Sequence, residues 1–260
     1  MAVSETDIAL AARLADAAGA AIRPYFRADH GVEAKEDQSP VTLADRAGEE
    51  AMRKLLIAER PMDGIIGEEF GVREGTSGRQ WVLDPIDGTR AFIAGRPVFG
   101  TLIALVDNGW PVLGVIDQPI IGERWLGVTG RKTLFNGKPA STRICRELGQ
   151  AILGTTSPAL FDDGQLHAFE HLDAKVMSTV LGGDCYNYGC VASGWLDIVV
   201  EAGLKLHDFA ALVPVIEGAG GRMCDWQGDP LHAGSNGEVI AAGDPARIDD
   251  ILEAMDCRGH

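Results

Sequence analysis

Nine consecutive residues, Trp81-Val82-Leu83-Asp84-Pro85-Ile86-Asp87-Gly88-Thr89, constrain this chain more than any other stretch. The apolar run Trp81 to Leu83 suits the interior of a buried strand. Pro85 cannot donate to a sheet ladder and biases Asp84 away from helix, so the strand is expected to stop there. Gly88 permits a tight turn or the close approach of a ligand, and Thr89 follows as the expected cap of a helix. Asp84 and Asp87 then flank one proline-stiffened corner. Two carboxylates held that close repel each other unless a cation lies between them. Oxygen-only ligands suit hard ions such as Mg²⁺ or Mn²⁺. The backbone N–H groups of Asp87, Gly88 and Thr89 would face outward at the helix start, where an anion is welcome. The same residues also read as an Asp-rich turn with a helix cap, so the motif alone leaves both readings open.

The chain has 260 residues, enough for one large domain or two intimate ones with a sizeable core. Its formal net charge of −15 makes nucleic acid and anionic membranes poor partners. A phosphorylated small molecule remains compatible with that charge if metal ions neutralise the site locally. Five cysteines at irregular spacing form no disulfide framework and no C-x-x-C pair, which points to a reducing, cytoplasmic setting. The alanine-rich N-terminal segment lacks a basic n-region and does not read as a signal peptide, and no apolar run reaches membrane-spanning length.

Along the chain, Ser4-x-x-Asp7 predicts a capping box opening a first helix, with Leu14, Ala18, Ile22, Tyr25 and Phe26 on one face and a stop near Asp29-His30-Gly31. A second helix is expected from Val41-Thr42-Leu43, turning Ala51, Met52, Leu55 and Leu56 inward. Asp45, three residues after Thr42, reads as the acidic half of a capping box. Gly64 to Gly67 is a short strand, and Glu68-Glu69 at its end is a solvated loop edge unless the fold returns it to Asp84. Strands are expected at 101–107, 112–117 and 123–128, with Asn108-Gly109 as a hairpin turn, and one more strand and turn at Leu134 to Pro139. The pattern changes near Ser141, which sets a boundary between an N-terminal α+β subdomain (1–140) and a C-terminal α/β subdomain (141–260). In the latter, strands are expected at 151–155, 175–178, 196–201, 222–226 and 238–242. Helices are expected at 158–172, 184–192, 207–219 (kinked at Pro214) and 245–255.

Other candidate chemistry is thin. His167 and His171 lie i,i+4 but no Glu follows His167, so they read as a polar helix face. Cys185 and Cys190 lack a second ligand pair and read as packing residues. Neither a P-loop nor a nucleophile elbow occurs, which leaves acidic residues and metal-activated water as the economical chemistry.

Gly67-Glu68-Glu69, then Trp81 to Thr89, then Asp208 ahead of Glu217-Gly218-Ala219-Gly220-Gly221, resemble the inositol monophosphatase family, and the resemblance covers nearly the whole chain. It implies an α+β/α/β fold, a layered α-β-α-β-α sandwich. It also implies Mg²⁺-dependent phosphomonoester hydrolysis with two to three ions per site (Mn²⁺ as a substitute), lithium inhibition and a homodimer. Carried over by residue, Glu68, Asp84 and the Ile86 carbonyl would hold one ion, and Asp84, Asp87 and Asp208 a second. A weaker third would sit by Glu68. Asp87, Gly88 and Thr89 would cradle the phosphate, while Thr89 paired with Asp45, together with Glu68, would orient and deprotonate the attacking water. His207 stands where many members carry Trp before the distal Asp.

The segments Gly182 to Gly189 and Val199 to Lys205 resemble the histidinol-phosphate phosphatase branch, with Asp184, Asn187 and Glu201 as the expected substrate-binding residues. A carboxylate pair at Asp184 and Glu201 suits a cationic amine. Lys205 is the only Lys or Arg between Gly182 and Asp208, which disfavours a second phosphate on the substrate. The leading expectation is therefore a histidinol-phosphate phosphatase of histidine biosynthesis. An inositol-1-monophosphatase or broad sugar-phosphate phosphatase is the rival. A non-catalytic metal-binding regulatory protein is disfavoured because all four acidic ligands are kept.

Overall fold

The structure is a computed structural model, and it describes residues 3–28, 33–34, 40–41 and 43–256. Helix α1 (Glu5–Ile22) opens on the expected Ser4/Asp7 capping box and buries Leu10, Leu14, Ala18 and Ile22. It ends earlier than expected, in a 3₁₀ turn over Arg23–Tyr25 where Pro24 withholds a donor. The expected stop at 29–31 lies outside the described residues. Strands β1 (Glu33–Ala34) and β2 (Pro40–Val41) form a small antiparallel ribbon. Helix α2 (Leu43–Glu59) buries Met52 and Leu56; Thr42, the other half of the expected Asp45 capping box, is not among the described residues.

The first sheet comprises β3 (Gly64–Gly67), β4 (Gly71–Arg73), β5 (Arg79–Asp87), β6 (Gly100–Asp107), β7 (Trp110–Gln118), β8 (Glu123–Val128), β9 (Leu134–Phe135) and β10 (Lys138–Pro139). Its order is β10-β9-β8-β7-β6-β5-β3-β4, antiparallel throughout except for β3 beside β5. Asn108 and Gly109, both at positive φ (50° and 86°), close the β6–β7 hairpin as their sequence demands. The second sheet comprises β11 (Ile152–Thr155), β12 (Ser178–Leu181), β13 (Ile198–Glu201), β14 (Arg222–Cys224) and β15 (Val239–Ala242), in the order β12-β11-β13-β15-β14.

Alternation along the strands sorts the core into layers. Trp81, Leu83, Ile103 and Leu105 of the first sheet face α1 and α2. Val82, Leu102, Ala104 and Ile116 point the other way. They meet α5 (Asp184–Ala192), α6 (Leu206–Phe209), α7 (Leu212–Gly218) and, beyond these helices, Val199 and Ala241 of the second sheet. The far face of that sheet (Leu153, Ile198, Val200, Ile240) packs on α4 (Asp163–Asp173) and α8 (Ile248–Met255). The result is the α-β-α-β-α stack. Because the central strands of both sheets are covered on both faces, they read as continuous apolar runs, while the edge strands β4, β10 and β12 are largely exposed.

Several sequence expectations shift locally. The strand expected at 175–178 lies at 178–181, because Lys175 N–H bonds back to the Leu172 carbonyl and residues 174–175 finish α4. The helix expected from Pro158 is a 3₁₀ turn (Pro158–Leu160) and then α4, which Asp162 starts anew through a capping box with Gln165. The expected 207–219 helix is interrupted at Ala210 and Ala211, which divide it into α6 and α7. Pro214 has no N–H for the Ala210 carbonyl, and its ring crowds that position.

Candidate active site

Strand β5 runs on past its expected end to Asp87, and the ladder with β6 slips between Asp84 and Asp87 instead of stopping. Pro85 sits in that irregularity, where its missing N–H costs no ladder bond and its carbonyl accepts the Thr101 hydroxyl at 2.7 Å. Ile86 N–H donates to Asp84 Oδ1 at 3.0 Å, which orients the buried carboxylate. Gly88, at φ +88°, is the N-cap of α3 (Thr89–Ile93); Thr89, expected as the cap, is the first helical residue. The cap position needs a left-handed backbone that glycine adopts without strain, and threonine does not. The Thr89 hydroxyl donates to the Ile86 carbonyl at 3.1 Å.

Asp208 arrives from the C-terminal half on α6, its Oδ2 accepting Lys205 N–H at 2.6 Å. The carboxylates of Asp84, Asp87 and Asp208 converge so that one oxygen from each lies within 4.8 Å of the others. Asp87 Oδ2 also accepts Cys185 N–H at 2.6 Å from the first turn of α5. Burial pushes the pKa of Asp84 well up, and the charges of Glu68, Asp87, Asp208 and Asp45 push it further. Asp87 is raised by burial and by Asp184 and Asp208. Asp208 is raised by burial, against the opposing pull of His207. Carboxylates forced together out of water in this way lack positive charge, and an oxygen donor set of this kind fits a hard dication. Asp45, fully buried on α2, and Glu68, half-buried after β3, add charge around this triple, although Glu68 is not one of the three converging groups.

Beside the triple lies a cleft of about 150 Å³ lined by Asp184, Tyr188, Glu201, Leu160 and Phe161 as well as Asp87 and Asp208. Gly182, Gly183 and Asp184 all have positive φ (82°, 117° and 44°), a turn that only a glycine pair makes cheaply. Asn187, expected to touch substrate, spends its amide on this turn, donating to the Gly182 carbonyl at 2.9 Å. The turn brings the Asp184 carboxylate against Gly88: a Cβ added there would sit 2.9 Å from Asp184 Cγ. Burial raises the Asp184 pKa to about 6, opposed by Arg96 and Arg90. Those two arginines come from the N-terminal half, so a count of basic residues between Gly182 and Asp208 does not find them. Glu201 accepts Thr156 N–H, the Thr156 hydroxyl and the Tyr188 hydroxyl, and burial lifts its pKa to about 7. Tyr188 is thus a buried partner of Glu201, and Tyr186 donates to Glu123 at 2.7 Å. No signal in the sequence links Thr156 to Glu201, 45 residues away.

Residues 4–258 match the model of the inositol monophosphatase family. The chain belongs to that family. A chloroplastic bifunctional phosphatase of Arabidopsis thaliana is 50% identical over 94% of this chain and 73% of its own length. A histidinol-phosphatase of Chlorobaculum parvum is 38% identical, covering 90% and 92% of the two chains. Among solved structures, an inositol monophosphatase from Zymomonas mobilis superposes with a TM-score of 0.90 at 56% identity, over 98% of this chain and 99% of that one. As a member of this family the chain is a phosphomonoester hydrolase, and the family is metal-dependent. Among the described residues, no helix is long and apolar enough to cross a membrane.

Proposed function

We propose that the protein hydrolyses L-histidinol phosphate to L-histidinol and phosphate, with Mg²⁺ as its natural ion and Mn²⁺ as a substitute. The observation that carries this reading is Asp184, a half-buried carboxylate set over Gly88 and beside the Asp84/Asp87/Asp208 triple. It supplies an anionic partner for a substrate amine next to a place for phosphate. Three relatives named histidinol-phosphatase, 37%, 38% and 39% identical, support it.

In this reading Asp84, Asp87 and Asp208 would hold one ion, and Glu68, Asp84 and the Ile86 carbonyl would hold another. A bound ion lowers the pKa of a coordinated water and stabilises the departing alkoxide oxygen. The chain's own groups do the rest. The N–H groups of Gly88 and Thr89 orient the phosphoryl oxygens. Thr89, paired with Asp45, orients the attacking water and Glu68 takes its proton; the water oxygen bonds to phosphorus as the ester P–O bond breaks, and that proton passes on to the departing alkoxide oxygen. Asp184 pairs with the amine, while Leu160 and Phe161 offer an apolar wall to a planar ring. Glu201 acts behind them, holding Tyr188 and the Thr156 loop, since its oxygens are already hydrogen-bonded. Lithium inhibition, a homodimeric assembly, a cytoplasmic setting and the 1–140/141–260 division belong to the same reading.

One observation favours the rival, an inositol-phosphate or sugar-phosphate phosphatase. Arg90 and Arg96 offset the charge of Asp184, and a neutral polyol would tolerate that pairing better than an amine. The 56%-identical solved structure is also titled an inositol monophosphatase. The test is kcat/KM for L-histidinol phosphate and for inositol-1-phosphate measured side by side with Mg²⁺. A preference of about 100-fold, nearly 3 kcal/mol of transition-state discrimination, is expected; equal values would make the protein a generalist.

A further inference from the structure

Glu49, on the face of α2 one turn after Asp45, has no part in the proposed chemistry, and its carboxylate is fully buried. Its Oε2 accepts Glu69 N–H at 2.7 Å and its Oε1 accepts Phe70 N–H at 3.2 Å. Arg53, the next turn along α2, donates Nε to Glu49 Oε1 at 2.7 Å and also bonds the Gly71 carbonyl. A helix thus reaches across and ties residues 69–71, the turn that leads from β3 into β4. The approach is possible only because residue 67 is glycine: a Cβ there would lie 1.8 Å from Glu49 Oε1. Glu68 comes immediately before these ties. On its other side Glu68 N–H bonds the carbonyl of Leu83, the residue before Asp84. The Glu68 backbone is therefore clamped between β5 and the Glu49 carboxylate, and its charge is felt at Asp84 and Asp208.

A solvent-exposed turn of this length would not need a buried, ion-paired carboxylate to close it, since removing a charge from water is costly unless the geometry repays it. We infer that Glu49, seconded by Arg53, is a positioning residue that holds Glu68 at the metal site, so that α2 sets two acidic groups at once: Asp45 directly and Glu68 through the turn. The inference rests on the reading of Glu68 as a metal ligand.

The test is Mn²⁺ affinity without substrate, measured by electron paramagnetic resonance of the free ion. It is applied to the parent, Glu68→Gln, Glu49→Gln, Glu49→Ala and the Glu49→Gln/Glu68→Gln double variant. Glu49→Gln keeps the side-chain shape but sets an NH₂ against a backbone N–H or against Arg53, so it carries the test even if Glu49→Ala does not fold. Expected are a roughly 10-fold loss of Mn²⁺ affinity in the Glu49 variants and a matching rise in the Mg²⁺ needed for half-maximal rate. Substrate KM at saturating Mg²⁺ should stay within about twofold, and the Glu68→Gln background should show no further loss. Parent-like Mn²⁺ affinity in Glu49→Gln, or a full additional loss on the Glu68→Gln background, overturns the inference. Parent-like affinity in Glu68→Gln itself removes the reading of Glu68 on which it stands.

Discussion

Replacing Glu201 by Gln is expected to stabilise the metal-free protein at neutral and alkaline pH. The carboxyl is buried, and its pKa rises from an ordinary 4.5 to about 7 because burial disfavours its charge more than Thr156 and Tyr188 can repay. A folded-state pKa above the unfolded one means that the folded protein keeps this proton longer. Stability from this group is therefore undiminished below pH 4.5 and is lost as pH climbs to about 7. Over that window the loss is about 3 kcal/mol, from 1.36 kcal/mol per pH unit. Glutamine imitates the protonated acid: its oxygen can still accept from Thr156, and its NH₂ can donate to the Tyr188 oxygen. The assay is urea unfolding in excess chelator at pH 4.5 and pH 8. The two proteins should be near-equal at the lower pH, and Glu201→Gln should gain about 3 kcal/mol at the higher, roughly 6–12 °C in Tm for a chain of this size. A Glu201→Gln protein with the parent's pH slope, or one less stable than the parent at pH 8, would refute the reasoning.

Asp84→Asn should lower kcat by about 10³-fold or more and abolish the rise in Tm on adding Mg²⁺. In chelator it should unfold no more easily than the parent, because each ionised pair, its oxygens within 4.8 Å, costs at least about 3.5 kcal/mol at an effective dielectric of 20. Near-parent turnover would sink the assignment. Asp184→Asn should raise KM for histidinol phosphate at least about tenfold more than for a neutral phosphate ester; equal effects count against amine pairing. Gly88→Ala, strained at φ +88° and crowding Asp184 Cγ at 2.9 Å, should cost about 1–3 kcal/mol of stability and at least tenfold in kcat. Unfolding curves and initial rates matching the parent would show that the corner tolerates a side chain.

The acidic corner at Asp84 and Asp87 was legible because its information is local. Asp84, Pro85, Asp87 and Gly88 are near neighbours in the chain, and proline and glycine restrict backbone angles wherever they stand. The capping box at Ser4, the Asn108-Gly109 hairpin and the bounds of α5 followed from the same short-range rules. Covered on both faces, the central strands of the sheets write continuous apolar runs, which located most strands to within a residue or two. Errors came where two short-range signals competed, as at Asp162 inside an apparent helix and Pro214 inside another. What only the tertiary structure decided is which distant groups share one dielectric environment. Arg90 and Arg96 offset Asp184, Tyr188 and Thr156 occupy Glu201, and Glu49 closes the turn that carries Glu68, while Asp208 was placed beside Asp84 only by the family resemblance. Charge interactions fall off with distance in space and not along the chain, so no spacing rule in the sequence could have found those pairs.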